Sequence, residues 1–518
     1  MIKSPKGITP ASIQKRASAS MGLQTSWHSL LTDAYDYFLP QREVLNSHSP
    51  GQKKMDKIFD STAIVGTKEF ANRMQANITP IWRNWATFEL SADLQQALKA
   101  QGQDTQKIRL QLQDAARVVF DYLNHSNFAT QINEAYLDLV IGTACMMVNE
   151  SDDPVKLIEF QTLPQVDIGY EAGPAGNVEH VFKNIEVVAR NVERKFPGIE
   201  LTEKLKEQVK NDPESKMAFI HCMIFDGEAR EYWSLLLPKG SDVFVWSQQY
   251  DEFGPWVVGR WSVISGEIRG RGPALDVLPD VKSLNKIKEF ALRKAAIDLS
   301  GIWTAVDDGV TNPYTIRIQP GIVIPVGTND RTSPSLQRLD TTNDLQMTQF
   351  VVSEMQTNIK RTLFNDLRDP NGPVRSATEI ATDSRDLAQR MGSAFGRIQT
   401  EMLEPILNRV ISILKKHGKI PDIQVDGKSV TIKFTSPLSR AQDTEDLLAV
   451  QQAVQFVVET TGPDNAMVAF KIKEFGRFAA DKTGMDASLV NSETEAEEIV
   501  TEATAARQVD QEQEQPVE

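Results

Sequence analysis

Cysteine is almost missing from this 518-residue chain, which carries only Cys145 and Cys222, at no metal-knuckle spacing. Two thiols cannot frame a disulfide scaffold or fill a four-thiolate zinc site, so the reading is an apolar-cored fold in a reducing compartment. Long apolar runs are missing too. The longest candidate, Leu139 to Val148, contains Gly142 and Thr143 and is followed by Glu150. It falls short of the ~18 apolar residues a membrane span requires and reads as a core helix. Histidine is sparse, and His28, His48, His125, His180, His221 and His417 share no ligand spacing, so each reads as a satisfied polar residue. The phosphate-cradling glycine loop, GxSxG, HExxH, SxxK and the EF-hand loop are all absent. A basic surplus is absent as well: 56 Lys and Arg stand against 70 Asp and Glu. Tight general binding of nucleic acid draws on neutralised phosphates, and this balance argues against it.

What is present suits a large folded protein. Hydrophobic residues make up 41% of the chain, enough for a sizeable core, and the length suggests about three domains. The net charge of −14 is unevenly placed. Between Met485 and Glu518 ten acids face the single base Arg507, so the last 34 residues hold −9 and the other 484 only −5. That end has no aromatic residue and reads as a solvated, disordered acidic extension. The beginning is basic, with Lys3, Lys6, Lys15 and Arg16 before the first acid at Asp33. It superficially resembles a transit peptide, yet no cleavage pattern follows, and it reads as a frayed start to a helix over Ser18 to Phe38.

Periodicity then divides the chain. Helical spacing extends to Ile78, with breaks at Pro40 and at Ser47 to Gly51. Phe88 to Leu90 suggests a short strand, and Gln106 to Val148 two helices joined near Ser126. From Val155 to Ile268 short alternating runs predict a mostly β unit with one helix near Leu201 to Asn211. Gly270-Arg271-Gly272-Pro273 leads into a long helix with the apolar stripe Leu284, Ile287, Ala291 and Ala295, and with Lys282 and Lys286 on a polar face. Pro279 must kink this helix or begin its regular part, which from Asp280 to Leu299 makes a rod about 30 Å long.

Gly301 to Leu339 is β-like, with strands expected at Ile302 to Val306, Thr315 to Ile318 and Ile322 to Val326. A second long helix carries the stripe Met347, Val351, Met355 and Ile359, with Thr341 and Asp344 as a capping pair. A β insertion between two long helices must sit at their far end, outside the core. Asp366 to Arg375 is rich in turn residues, and Ser376 with Glu379 caps a third long helix through Leu387, Met391 and Phe395 to His417, where Gly418 stops it. Strands near Ile423 to Val425 and Val430 to Phe434 precede a helical unit from Arg440 to Lys482 that turns at Gly462.

Few residues suggest chemistry. Gly270 and Gly272 do not complete GxGxxG and, leading from a β segment to Pro273, read as a helix entry. Asp307-Asp308-Gly309 offers paired carboxylates for a divalent cation, but a turn explains the same letters. Trp82, Trp85 and Phe88 have the surface to stack bases, and core packing is the plainer reading.

Taken in order, several segments resemble the portal, or head-to-tail connector, proteins of short-tailed bacteriophages. They are Phe38-Leu39-Pro40-Gln41-Arg42, Ile58-Phe59-Asp60-Ser61-Thr62, Thr79-Pro80 with Trp82, Gly270-Arg271-Gly272-Pro273 with Asp276, Leu278, Pro279, Asp280, Leu284 and Asn285, and Ala377-Thr378-Glu379-Ile380. The resemblance implies a mainly helical α+β portal fold with wing, stem, clip and crown domains, assembled as a ring commonly of about twelve subunits. On that pattern residues 1–270 form the wing, 271–300 and 341–366 the two stem helices and 301–340 the clip. Residues 367–375 are then the tunnel loop, 376–435 the wing helix and strands, 436–484 the crown and 485–518 the acidic tail.

It also implies a structural part of the virion at the head-tail junction, assembled in the host cytoplasm, without enzymatic activity or cofactor. Double-stranded DNA would pass through the channel. The other implied partners are major capsid and scaffolding proteins, a terminase packaging motor and tail adaptor proteins. Lys282, Lys286, Arg368 and Arg375 are the candidates to face DNA, and Asp307, Asp308, Arg317 and Arg331 those to dock motor or tail. The alternative is a carboxylate-dependent hydrolase or nucleic-acid-processing enzyme, with only Asp307 and Asp308 to support it.

Overall fold

A computed structural model describes residues 2–23, 25–42, 58–91, 93–94, 96, 105–151, 153, 156–165, 168–300, 303–305, 332, 336–338, 345–365, 389–420, 430–462, 470, 475–476 and 478–479. The chain opens with two helices, α1 (Pro10–Leu23) and α2 (Thr25–Phe38), where the periodicity suggested one over Ser18 to Phe38. They part because they serve different cores. Ile13 and Ala17 of α1 pack on a sheet around Phe182 and Leu235, whereas Leu31, Ala34, Tyr35 and Phe38 of α2 enter the main helical core. The opening continues through α3 (Thr62–Ile78), β1 (Ala86–Leu90), α4 (Thr105–His125) and α5 (Phe128–Ile141).

The apolar run after Leu139 is not one helix, contrary to the expectation. α5 stops at Ile141, Gly142 takes φ +146°, and β2 (Thr143–Glu150) begins at once. A chain that reverses from helix to strand over one residue needs the backbone freedom of glycine there. β2 lies between β3 (Ile158–Leu163) and β9 (Trp256–Arg260), antiparallel to both. The other strands of this β unit make a five-stranded antiparallel meander: β4 (Ile168–Ala172), β5 (Val178–Val188), β6 (Lys216–Asp226), β7 (Glu231–Pro238) and β8 (Trp246–Tyr250). The helix expected near Leu201 to Asn211 is α6 (Glu203–Asn211), between β5 and β6.

Two long helices follow: α7 (Pro273–Ser300), with Pro279 inside it, and α8 (Leu345–Thr362). Between them β10 (Trp303–Ala305) pairs with β11 (Leu336–Arg338). A later helical stretch, described from residue 389 on, passes through a π turn at Gln399–Leu403 and ends as α9 (Glu404–Lys416). β12 (Val430–Phe434) returns to pair antiparallel with β1, Phe88 opposite Ile432, and α10 (Pro437–Thr461) leaves from it. The mainly helical α+β architecture is as expected from the sequence. Among the described residues no helix is long and apolar enough to cross a membrane.

Candidate functional site

The helix pair α7 and α8 is built to project. Along α7 burial fades from Val277, Val281 and Leu284, all in the core, through half-buried Ile287 and Ala291 to exposed Ala295. Along α8 it runs the other way, from exposed Phe350 through half-buried Val351 and Met355 to buried Ile359. The apolar stripes read from the sequence are therefore the faces that root the pair in the body.

The start of α7 explains the Gly-Arg-Gly-Pro segment without any phosphate. Gly272 N–H donates to Ile141 O at 2.9 Å, Gly270 N–H to Thr143 Oγ1 at 2.9 Å and Arg271 N–H to Ser262 O at 2.7 Å. A Cβ on Gly272 would lie 2.1 Å from Val140 O, so only glycine allows the two backbones to cross. Arg271 forms a two-fold hydrogen bond with Glu267, 2.7 Å for each contact, and stands over the Trp27 ring. Pro273 then opens the helix, where its missing N–H costs nothing.

A polar hub fastens the root. Asn285 Oδ1 accepts from the N–H groups of Phe59 at 2.7 Å and Asp60 at 3.2 Å. The buried Asp60 carboxylate accepts from Thr62 N–H at 2.8 Å and Gln356 Nε2 at 2.9 Å, and it pairs with Lys288. One carboxylate thus ties the segment before α3 to both long helices. Burial alone would raise its pKa, but Lys288, Thr62 and Gln356 together hold it below the usual aspartate value. Arg42 has a comparable role at the end of α2. It pairs with buried Asp138, which also accepts from Tyr35 Oη at 3.0 Å, and with Glu134.

Of the residues proposed to face DNA, Lys282 pairs with Asp33 of α2. Lys286 donates to Glu289 at 2.8 Å and stands 4.8 Å from the Phe290 ring centre. Both lie on α7, one turn apart. Arg368, Arg375, Asp307, Asp308, Arg317 and Arg331 lie outside the described residues, as do the 485–518 segment and most of the insertion between α7 and α8. Periodicity drew attention to neither Lys288 nor Gln356. Asp60 and Asn285 appeared only as letters in the resembling segments, and nothing in the sequence pairs them.

The tryptophan cluster divides. Trp85 and Phe88 are core residues, as expected, with Trp85 edge-on to Phe120 at 5.2 Å. Trp82 is 76% exposed, contrary to the core reading, because it sits on the turn between α3 and β1 and has no layer above it. Another bare surface is on α10. From Leu447 to Val458 there is no charged residue, yet none of these side chains is buried, and Phe456 is 66% exposed.

Burial pushes the Cys145 and Cys222 thiols up to about 12 and His221 down to about 3, which leaves all three uncharged near neutral pH. Among the described residues no three His, Cys, Asp or Glu side chains group as a metal site.

A profile of the family described as "Bacteriophage head to tail connecting protein" matches residues 11–490. The chain is 21% identical to the portal protein of Salmonella phage epsilon15 over 466 residues, covering 84% of this chain and 80% of that one. It is 19% identical to the portal protein of Escherichia phage T7 over 436 residues, covering 81% and 78%. A solved structure of the neck of a native gene transfer agent particle, computed with C12 symmetry, aligns at a TM-score of 0.31 and 12% identity, covering 77% of this chain and 88% of that one. Since the family profile spans the helical opening, the β unit, the projecting helix pair and α10 alike, the chain belongs to the bacteriophage head-to-tail connecting proteins and is a portal subunit at the junction of head and tail.

Proposed function

We propose that the chain assembles into a closed ring of about twelve subunits whose channel passes double-stranded DNA during packaging and ejection. The observation that carries this reading is the exposed apolar surface of the chain: Phe456 and Leu448 on α10, and Phe290, Leu292 and Phe350 on the helix pair. Isolated exposed apolar residues are ordinary, but a twelve-residue uncharged helical stretch with no buried side chain is not. A neighbouring subunit on each flank would cover it, and contacts repeated head to tail close into a ring.

In such a ring each cation of α7 becomes a circle of charge. Lys282 and Lys286 would then centre the duplex, with Arg368 and Arg375 as further contacts. Asp307, Asp308, Arg317 and Arg331, between the two long helices, would serve the packaging motor first and tail adaptors later. The ring would be built in the host cytoplasm with capsid and scaffolding proteins, and it would have no catalysis of its own. Solution mass tests the reading. The wild-type chain should form particles of about 0.7 MDa, twelve times 57.9 kDa, and Phe456→Glu should release smaller species. A wild-type chain that stays monomeric or dimeric at micromolar concentration, or a Phe456→Glu ring of unchanged mass, would refute it.

A further inference from the structure

The end of α8 holds a residue in a strained backbone conformation. Leu363 N–H donates to Ile359 O at 3.0 Å, Phe364 N–H to Arg361 O at 3.1 Å and Asn365 N–H to Lys360 O at 2.7 Å. The last of these is the wide closing bond of a helix whose next residue is left-handed, a place usually taken by glycine. Here Phe364 holds it, at φ +55°. A bulky aromatic residue in that region is an outlier, and it persists only where its surroundings over-determine it. Asn365 adds a second tension: it is buried, and among the described residues its Oδ1 has no hydrogen-bond partner.

What holds the turn comes from elsewhere in the chain. The Phe364 ring packs 6.0 Å from Phe70 of α3 and 5.8 Å from Trp261. The Arg390 guanidinium lies over the same ring at 5.2 Å and donates to Arg361 O. Arg73 of α3 donates to Phe364 O. Both arginines thus meet the carbonyl end of α8, where the helix dipole favours a cation.

We propose that Phe364 and Asn365 form a two-state latch at the end of the helix pair. In the state described, Arg73, Arg390 and the aromatic pair hold Phe364 left-handed. In the other, Phe364 returns to the right-handed region and Asn365 turns its amide to water. The restraints lie on α3 and beside Trp261, so a shift of the body against the helix pair moves the balance between the two.

Hydrogen exchange of the assembled full chain, followed by mass spectrometry over residues 359–365, tests the latch. Arg73→Gln removes a charge-assisted bond and should speed exchange at Leu363, Phe364 and Asn365 about tenfold, while β2 keeps its wild-type rate. Asn365→Leu removes the stranded amide and should slow the same three amides by a similar factor. Unchanged exchange in Arg73→Gln, or an equal rise throughout α3 and α8, would overturn the proposal by making Arg73 an ordinary core contact. If Arg73→Gln does not fold, Asn365→Leu decides alone: slower exchange supports the latch, and unchanged or faster exchange refutes it.

Discussion

Asp60 is where the attachment of the helix pair can be weighed. Its side chain is 5% exposed and Lys288 is 32% exposed, so the pair lies between surface and interior. Exposed pairs contribute about 0.2–1 kcal/mol, and removing one partner of a buried pair costs about 3–5 kcal/mol. Asp60→Asn keeps the shape, strips Lys288 of its counter-ion and turns a donor toward groups that are themselves donors, Gln356 and Lys288. The expected cost is about 2–3 kcal/mol. A chain of this size need not unfold in one step, so pulse proteolysis in urea, scored by cleavage within residues 273–365, is the suitable measurement. Lys288→Met should cost a similar amount, and the double variant less than the sum, with a coupling of at least about 1 kcal/mol.

The sign of the pH dependence follows from the same contacts. The folded carboxyl titrates below its unfolded value of about 3.9, so its contribution is present above that pH and is lost as pH falls through the folded value. Wild type should therefore loosen at the root of the helix pair below about pH 4, and Asp60→Asn should lack that component. A cost under about 0.5 kcal/mol, or additivity in the cycle, would show that Asp60 does not fasten the pair.

Two further outcomes are expected. Gly142→Val should abolish soluble expression, because a Cβ there would stand 2.1 Å from Gly270 O at φ +146°; a soluble variant with a wild-type melting profile would refute the crossing argument. His221 is held neutral in the folded sheet, with a pKa of about 3 against ~6.5 unfolded, so the unfolded chain binds the extra proton between these values. Stability of the β unit should then fall as pH drops from 6.5 toward 3, by at most about 1.4 kcal/mol per pH unit, and His221→Gln should flatten that slope in a urea titration.

Elements with a strong local signal were legible in the sequence. The stripes on α7 and α8 marked both helices and the faces they bury, and Gly418, at φ +65°, sits where a helix stop was expected. The errors came where local pattern and distant contact disagree. Thr143 to Val148 is apolar enough for a helix, and only the crossing of Gly142 with Gly270 sets it as a strand between β3 and β9. The β1–β12 pair joins Phe88 to Ile432 across most of the chain, which no periodicity can announce. Trp82 failed for the opposite reason, since its apolarity suggested a core while its turn left it bare. The hub around Asp60 is invisible to spacing because its donors come from three separate segments.

Charge shows most clearly how contacts revise a count. Read as letters, the middle of α7 is a basic helix, with Lys282, Lys286, Lys288, Arg293 and Lys294 within four turns. Folded, Lys282 pairs with Asp33, Lys288 with Asp60, and both Lys286 and Arg293 with Glu289. A duplex bound by four free cations per subunit would release counterions at each contact and have to regain that free energy at each step. Cations already answered by carboxylates offer a polar surface of low net charge, against which a phosphate gains little and loses little. If these helices line a channel, as proposed, their pairing suits passage better than binding. The acidic overall balance is then no obstacle to a DNA conduit, since what a sliding duplex meets is the residual field after pairing.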